Sequence, residues 1–229
     1  MKMKQLTAGM IALVMSMSLP MTTYAADWYL EDGNVTVDAG DSGQTVTQGS
    51  NPAVQDEAPV ITQSSAETSN TITINASENA TANVTIKDIN IKSSNDAIDV
   101  TGSSSANITL EGDNKIFSET GSALHISDGN VTINGSGALK AEIQDDPGSD
   151  YNHNAKIGSH ENEDMSGSIH ITGDATVKTD DNTASDCEGD GAGIGSGEYG
   201  EMSGNIVIDG NAQVEVSSND RGAGIGTGD

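Results

Sequence analysis

Residues 130–139 read NVTINGSGAL, and they contain the pattern from which the fold can be inferred. Val131, Thr132 and Ile133 alternate between apolar and polar side chains, a glycine-rich bend follows, and Leu139 stands eight residues after Val131. Alternation with a period of two residues is typical of a β-strand that is buried on one side only. The stretch therefore predicts two short strands that meet at a sharp bend.

The same pattern recurs along the chain. Two apolar residues flank a third residue at positions 84–86, 108–110, 131–133, 169–171 and 206–208. In the last four copies a glycine follows the first apolar position by four residues, and another apolar residue follows it by eight. The starting positions define two compact units of 24 and 23 residues, followed by longer units of 38 and 37 residues. A third apolar element closes each unit, at Ile98, Leu124, Ile157, Ile194 and Ile225.

These units predict an all-β protein. Each element is too short to be stable alone, so it buries its apolar side only by stacking on its equivalent about 4.8 Å away. We therefore predict a right-handed parallel β-helix, a solenoid with three short strands per coil of about 23 residues and with acidic loop insertions. β-Propellers need longer units, and antiparallel sandwiches do not keep such registers. Recurrent asparagines before the first element are predicted to stack as a ladder: Asn83, Asn107, Asn130 and Asn205.

Residues 1–25 have the features of a secretory signal peptide. Lys2 and Lys4 precede an apolar run over 6–19, and the small residues Thr23 and Ala25 precede a predicted cleavage site after Ala25. The run is shorter than the roughly 20 apolar residues that an uncleaved membrane anchor needs. We therefore expect a secreted, extracellular protein that could also be attached to the cell surface.

The rest of the chain divides into two regions. Residues 26–75 are less regular and are predicted to form an N-terminal cap with irregular coils, in which 35–37 and 72–74 are strands. Two prolines within 51–69 predict a loop there. Residues 76–229 carry the β-helix repeats. Because the last unit stops inside a repeat and would leave backbone groups uncovered, we expect the natural chain to continue.

The charge of the chain restricts its partners. It has 9 Lys and Arg residues against 35 Asp and Glu residues, a formal net charge of −26. Residues 1–25 contain two of the lysines and no acid, so the cleaved chain carries 7 minus 35, or −28. Such a surface repels nucleic acid and anionic membranes, since phosphate binding needs clustered basic residues. It attracts cations, and Ca²⁺ is the expected cofactor because it prefers carboxylate oxygens.

The acidic insertions of the longer units hold the candidate Ca²⁺ ligands. Stacked loops would bring carboxylates from neighbouring units within reach of a shared ion, which takes six to eight oxygen ligands. The alternative is that these loops are solvated and repel one another. The candidate ligands are Asp145, Asp146, Asp150, Asp180, Asp181, Asp186, Glu188 and Asp190, and the same insertions also carry Glu161, Glu163 and Asp164.

Several segments carry a family resemblance. They are 83–86 (NVTI), 94–98 (SNDAI), 130–139 and the Gly-Ala-Gly-Ile-Gly units, and together they cover roughly 70–229. Through them the chain resembles the β-helical carbohydrate-binding-domain proteins of Gram-positive bacteria. That resemblance implies secretion or surface display, a pectate-lyase-like right-handed β-helix, polysaccharide binding and bound calcium. The long Gly-Ala-Gly-Ile-Gly coils depart from that pattern and look like repeats of large surface adhesins.

The expected partner is a polysaccharide or a host or cell-surface glycan, bound by a monomer. Tyr151 and Tyr199 are the candidate carbohydrate-binding residues, because aromatic rings stack on sugars, and loop packing is the alternative role for them. We expect a non-catalytic carbohydrate-binding or adhesive module. The alternatives are a purely structural adhesin stalk and an enzyme, either one resembling a polysaccharide lyase or a glycoside hydrolase. Catalysis is disfavoured because the single arginine lies in the last turn and the histidines have no metal-ligand spacing: His125, His153, His160 and His170.

Overall fold

A computed structural model describes residues 26–64, 66–102, 105–144, 152–179, 189–218 and 221–229. This part of the chain is all-β, with one turn of 3-10 helix at Leu30–Asp32 and no α-helix. Its strands are β1 (Asp27–Tyr29), β2 (Val35–Gly40), β3 (Gly43–Gln48), β4 (Val54–Gln55), β5 (Val60–Thr62), β6 (Ile72–Ala76), β7 (Thr81–Lys87), β8 (Asn90–Ser93), β9 (Ile98–Thr101), β10 (Ser105–Glu111), β11 (Asp113–Ser118), β12 (Leu124–Ile126), β13 (Asn130–Gly135), β14 (Ala138–Ile143), β15 (Ile157–Gly158), β16 (Ser168–Ile171), β17 (Thr176–Thr179), β18 (Ile194–Gly195), β19 (Ile206–Ile208), β20 (Gln213–Val216) and β21 (Ile225–Gly226).

The strands form three sheets. The first sheet has the order β1-β5-β7-β10-β13-β16-β19, the second β8-β11-β14-β17-β20, and the third β4-β3-β2-β6-β9-β12-β15-β18-β21. Neighbouring strands are parallel except for the β2–β3 and β3–β4 pairs. From β7 onwards every repeat unit supplies one strand to each sheet in turn. The prediction of an all-β chain with parallel, stacked strands is confirmed.

The core consists of stacked aliphatic columns. In β10, Ala106, Ile108 and Leu110 are at most 2% exposed, whereas Asn107 and Thr109 between them are partly exposed. Because equivalent strands are in register, each inward side chain covers the apolar surface of its equivalent in the next unit. The third sheet contributes a column in which every member is at most 1% exposed: Ile72, Ile98, Leu124, Ile157 and Ile194.

One predicted register is wrong by two residues. The repeat alignment places Val131 opposite Ile108, but Ile133 pairs with Ile108, so this unit spans 25 residues rather than 23. The second strand shifts in the same way, with Leu139 opposite Asn114. A slip of two residues keeps every side chain on its own face of the sheet. The apolar pattern therefore cannot distinguish the two registers.

This register places one polar side chain, that of Asn114, in the core, where backbone groups form hydrogen bonds with it. Asn114 is 2% exposed. Its Oδ1 accepts from the N–H of Ile89 at 3.3 Å, and its Nδ2 donates to the carbonyls of Glu111 at 3.1 Å and Ala138 at 3.0 Å. A buried amide is tolerated when such partners satisfy it. Asn114 thereby ties three successive segments of backbone together at the bend.

The predicted asparagine ladder is limited to its first two members. Asn107 donates from Nδ2 to Oδ1 of Asn83 at 3.0 Å on the outer face of the first sheet. Asn130 pairs instead with Ser105 and Ser168. The reason is the same slip of two residues, which moves Asn130 out of line with Asn107.

The N-terminal end of the third sheet is antiparallel. β2 pairs in parallel with β6 on one side and antiparallel with β3 on the other, after a turn at 41–42. The predicted strands at 35–37 and 72–74 lie in β2 and β6. The predicted loop over 51–69 is wrong in part, because it contains β4 and β5. Its prolines, Pro52 and Pro59, lie outside both strands, where a missing N–H is tolerated.

Candidate functional site

Most of the predicted ligand residues lie outside the described part of the chain. This applies to Asp145, Asp146, Asp150, Tyr151, Asp180, Asp181, Asp186 and Glu188. Asp190 and Tyr199 are described, and they lie in loops on either side of β18.

Asp190 and Tyr199 have different surroundings. Asp190 is 8% exposed, and its Oδ2 stands 3.8 Å from Nη1 of Arg221. Tyr199 is 70% exposed in a left-handed turn with φ of +59°, and its hydrogen bond to Glu198 raises the pKa of its hydroxyl. Its backbone N–H donates to the carbonyl of Asp229 at 3.3 Å. The roles of Asp190 in calcium binding and of Tyr199 in sugar binding stay predictions.

A different group of polar residues converges on the outer face of the third sheet. Asp99 of β9 and His125 of β12 are register partners. Both point away from the core, because side chains alternate along a strand and their neighbours Ile98 and Leu124 point inward. Residues from two loops complete the group. We call it the histidine–carboxylate cluster, and it consists of Asp96, Asp99, His125, His160 and Glu163.

A glycine in the next strand makes room for this cluster. Gly158 of β15 is the register partner of His125 and has a φ of +140°. A Cβ at this position would overlap the carbonyl oxygen of Gly195 in the following unit, so only glycine fits. Since no side chain rises from the sheet at Gly158, the loop that follows can cover His125.

Hydrogen bonds within the loop over 159–164 place its side chains. The hydroxyl of Ser159 donates to the carbonyl of Glu163 at 2.7 Å, and the N–H of Glu163 donates to the carbonyl of His160 at 3.2 Å. Asn162 closes the turn in the left-handed conformation with φ of +58°, which asparagine tolerates. The loop therefore presents the side chains of His160 and Glu163 together over the sheet.

The two imidazoles are stacked and are held by carboxylates. His125 lies between Asp99, 2.8 Å from Nδ1, and Glu163, 2.9 Å from Nε2. Nε2 of His160 lies 2.8 Å from Oδ1 of Asp96. The ring centroids of His125 and His160 are 4.0 Å apart and their planes differ by 9°. Three polar contacts and one stack thus fix all five side chains relative to one another.

Asp96 is positioned by its own neighbours. Its Oδ1 also accepts the backbone N–H of Ser122 at 2.8 Å. Gly121 lies against the same carboxylate, and a Cβ there would overlap Oδ1 of Asp96. The loop that bears Asp96 therefore packs directly on the segment that leads into β12, and its carboxylate is fixed before any ligand binds.

The carboxylates keep His125 charged. Burial by itself lowers the pKa of His125, but the hydrogen bonds to Asp99 and Glu163 and the charge of Asp96 outweigh it and raise the pKa to about 9. Burial by itself raises the pKa of Glu163, but its hydrogen bonds to His125 and to the backbone of His160 hold the pKa below its usual range. In the absence of another cation, the proton on His125 therefore balances part of the negative charge.

Three members of the cluster have the arrangement of metal ligands. One ligand atom from each of Asp96, His125 and His160 lies within 4.8 Å of the others. Two imidazole nitrogens and a carboxylate oxygen suit ions such as Zn²⁺, Ni²⁺ or Cu²⁺, whereas Ca²⁺ takes oxygen ligands. These residues are therefore a different kind of site from the predicted acidic calcium loops.

A polar groove of about 340 Å³ adjoins the cluster on the same face of the third sheet. It reaches Asp96 and Asp99, so the groove and the cluster form one continuous polar surface. Hydroxyl and amide side chains from successive strands and loops line the rest of the groove: Asn34, Ser69, Thr71, Thr73, Ser94 and Asn95.

The sequence did not predict the cluster, because the spacing of its residues along the chain does not show that they meet. His125 and His160 are 35 residues apart, and stacking of units brings them together rather than a local motif. One signal was present, since Asp99 and His125 each follow the apolar residue of the third element in successive units. Nothing in the sequence indicated that the loop after Gly158 would return over His125.

Comparisons with known proteins do not assign the chain to a family. Neither protein-family models nor curated proteins nor solved structures matched it. The resemblance to β-helical carbohydrate-binding proteins therefore stays a prediction. Among the described residues, no helix has the length and apolar character needed to cross a membrane.

Proposed function

We propose that this chain is a secreted or cell-surface carbohydrate-binding and adhesive module, without catalytic activity, built as a right-handed parallel β-helix. Three parallel sheets that each receive one strand from every unit support a closed solenoid. A solenoid presents long exposed surfaces, which suit an extended polymer such as a polysaccharide or a host glycan. The proposed binding unit is a monomer.

The observation that carries the carbohydrate proposal is the polar groove beside the histidine–carboxylate cluster. Its hydroxyl, amide and carboxylate groups offer both donors and acceptors to sugar hydroxyls. Thr73 and Asp99 are register partners on neighbouring strands, so binding groups repeat along the groove at the spacing of the stack. A glycan lying along the groove would contact equivalent positions of successive units.

Calcium assistance is part of the proposal. The net charge of −26 supports it, because closely spaced carboxylates repel one another unless a cation lies between them. Ca²⁺ would then act as a stabiliser or as a bridge to acidic sugars rather than as a catalyst. Glycan binding that survives removal of Ca²⁺ by a chelator would remove this part of the proposal alone.

Retention of the protein on a panel of bacterial, plant and host polysaccharides tests the proposal. The wild-type protein should bind at least one polymer. Thr73→Ala should weaken that binding by about fivefold, since one hydrogen-bonding hydroxyl of the groove is lost. Thr85→Ala is the matched control, because Thr85 is equally half-buried on the outer face of the first sheet. Equal losses in both variants would argue against the groove as the binding site.

A structural stalk is the second candidate function, and the continuous aliphatic core favours it. A stalk would bind none of the polysaccharides, whereas cells that display the protein would still hold their outermost domain away from the surface. Release of unsaturated sugars that absorb ultraviolet light would instead reveal a lyase and would overturn the non-catalytic proposal.

A further inference from the structure

We propose that Asp96, His125 and His160 bind one divalent transition-metal ion. This proposal goes beyond carbohydrate binding and does not depend on it. The three side chains come from three different segments: the loop before β9, strand β12 and the loop after β15. The stack of units therefore has to form before the site exists.

The donor atoms identify the class of ion. Neutral imidazole and carboxylate are ligands of Zn²⁺ and of neighbouring first-row ions, which bind at about 2.0–2.2 Å. Ligands spread evenly around one such ion lie about 3.4 Å apart, so donor atoms that already lie within 4.8 Å of one another need to approach by about 1.4 Å at most. Because the lone pair of an imidazole nitrogen lies in the plane of its ring, the two rings would rotate out of their parallel stack to share one ion.

The surroundings of the three side chains match those of metal ligands. Asp99 accepts from Nδ1 of His125 at 2.8 Å, which orients the ring and leaves Nε2 for an ion. The N–H of Ser122 holds Asp96 in the same way. Glu163 lies 2.9 Å from Nε2 of His125 and is the candidate fourth ligand.

The negative charge of the cluster favours a divalent cation. Asp96, Asp99 and Glu163 bring three carboxylates to two stacked imidazoles. Carboxylates this close repel one another unless a cation lies between them. A divalent cation bound at the ring nitrogens would neutralise two of these carboxylates.

Titration of chelator-treated full-length protein with Zn²⁺ tests the proposal, and Co²⁺ serves as a coloured probe of coordination. The wild-type protein should bind one Zn²⁺, and Co²⁺ should give visible absorption typical of nitrogen and oxygen ligands. His125→Ala and His160→Ala should each weaken Zn²⁺ binding by at least about tenfold. His170→Ala should leave it unchanged, because His170 pairs with Asp209 on the first sheet.

Asp99→Asn is the second variant, and it leaves all three proposed ligands in place. It should weaken Zn²⁺ binding by about tenfold or more, since the neutral amide orients His125 less strongly. Bound Zn²⁺ should also raise the melting temperature of the wild-type protein and of His170→Ala but not that of His125→Ala. Absence of stoichiometric binding to the wild-type protein, or equal binding by His125→Ala and His170→Ala, would overturn the proposal.

A second, independent observation concerns the N-terminal cap. Asp56 is 2% exposed, and its Oδ2 accepts from the backbone N–H of Ala26 at 3.1 Å and from Nε1 of Trp28 at 2.9 Å. Its Oδ1 accepts from the N–H of Ala58 at 3.2 Å. Within the described part of the chain, the ion pairs do not include Asp56. This carboxylate is therefore buried with hydrogen bonds but without a cation.

The predicted cleavage after Ala25 would supply that cation. Hydrolysis of the Ala25–Ala26 amide adds water across the bond and leaves Ala26 with a free ammonium group. We infer that Asp56 binds this new N-terminus, so that processing converts a neutral hydrogen bond into a buried ion pair. The inference rests on the predicted cleavage site. The surroundings of Asp56 already hold residue 26 in place, because the carbonyl of Ala26 also accepts from the N–H of Val60 at 3.0 Å.

Two proteins that differ by one residue test this inference, one starting at Ala26 and the other at Ala25. The protein that starts at Ala26 should have a folding equilibrium constant about tenfold larger in urea unfolding, because only its ammonium meets Asp56. In an Asp56→Asn background the difference should fall below about twofold. Equal differences in the two backgrounds would overturn the inference.

A second measurement serves if Asp56→Asn does not fold. The α-amine of the protein that starts at Ala26 should show a pKa above the ordinary value of about 8, measured from the pH dependence of its chemical labelling. A pKa at or below that value would overturn the inference. So would an intact mass of the exported protein that places its first residue elsewhere than Ala26.

Discussion

The compact units and the longer units differ in their third strand. In the compact units the third strand has three or four residues, and its outward position carries a polar side chain, Asp99 in β9 and His125 in β12. In the longer units this strand has two residues, and the outward position is Gly158, Gly195 or Gly226. The polar column therefore ends where the glycine column begins.

This difference explains where the candidate site lies. A glycine column lets the backbones approach closely and leaves space above the sheet, and the long loops of the later units occupy that space. The histidine–carboxylate cluster forms at the boundary, where the last polar side chain of the column, His125, meets the first long loop. Neither kind of unit would form the cluster alone.

The largest expected effect concerns the glycine column. Gly158→Ala should cost at least about 4 kcal/mol of unfolding free energy or prevent folding, because its Cβ would overlap the backbone of Gly195. Gly173→Ala is the control, since a Cβ there meets its nearest atom at 3.4 Å; only its φ of +73° is unfavourable, which costs about 1 kcal/mol. Urea unfolding measures both. Similar losses in the two variants would refute the role given to the glycine column.

The next effect compares the middle of the stack with its end. Ile108→Ala removes a side chain that is 1% exposed and should cost about 2–5 kcal/mol. Ile225→Ala removes one that is 45% exposed and should cost less than about 1.5 kcal/mol. Urea midpoints of the full chain measure both losses. A large loss for Ile225→Ala would mean that something covers the last unit in solution.

In chelator-treated protein, we expect the charge on His125 to add at most about 3 kcal/mol to the unfolding free energy, by an amount that depends on pH. Asp96, Asp99, Glu163 and the stacked ring of His160 face it. The pKa of His125 rises from 6.5 to about 9 on folding. Its contribution is therefore complete below pH 6.5 and is lost as the pH rises through about 9.

Unfolding free energies between pH 6 and pH 10 measure this contribution. His125→Gln should flatten the decline between about pH 6.5 and 9, because it removes the group that titrates there. His170→Gln should keep the decline. A wild-type profile that is flat over this range would show that the carboxylates do not hold the proton on His125.

The smallest effect is expected on the outer face of the second sheet. Lys178 and Glu215 form an ion pair at 2.7 Å between neighbouring long units, and both side chains are more than half exposed. Lys178→Ala should change the unfolding free energy by less than about 0.5 kcal/mol, because water and salt screen such pairs. A loss above about 1 kcal/mol in thermal unfolding would mean that surface pairs also hold the long units together.

Part of this architecture was predictable from residue order. The alternation at Val131 to Ile133 predicts a strand, and its recurrence predicts parallel stacking, both of which the structure shows. The register between Ile108 and Ile133 was not predictable, because strands displaced by two residues bury the same side chains. The choice depends on the bend, where Asn114 satisfies three backbone groups.

The short alternating strands, the glycine bends and the strongly acidic charge follow from residue order, since these features depend on local chemistry and composition. The folded chain alone shows that His125, His160 and Asp96 meet and that Asp56 accepts the N–H of Ala26. Contacts between residues some 30 or more positions apart depend on how units stack and how loops return. A periodic pattern does not contain that information, because it repeats identically whichever way a loop folds.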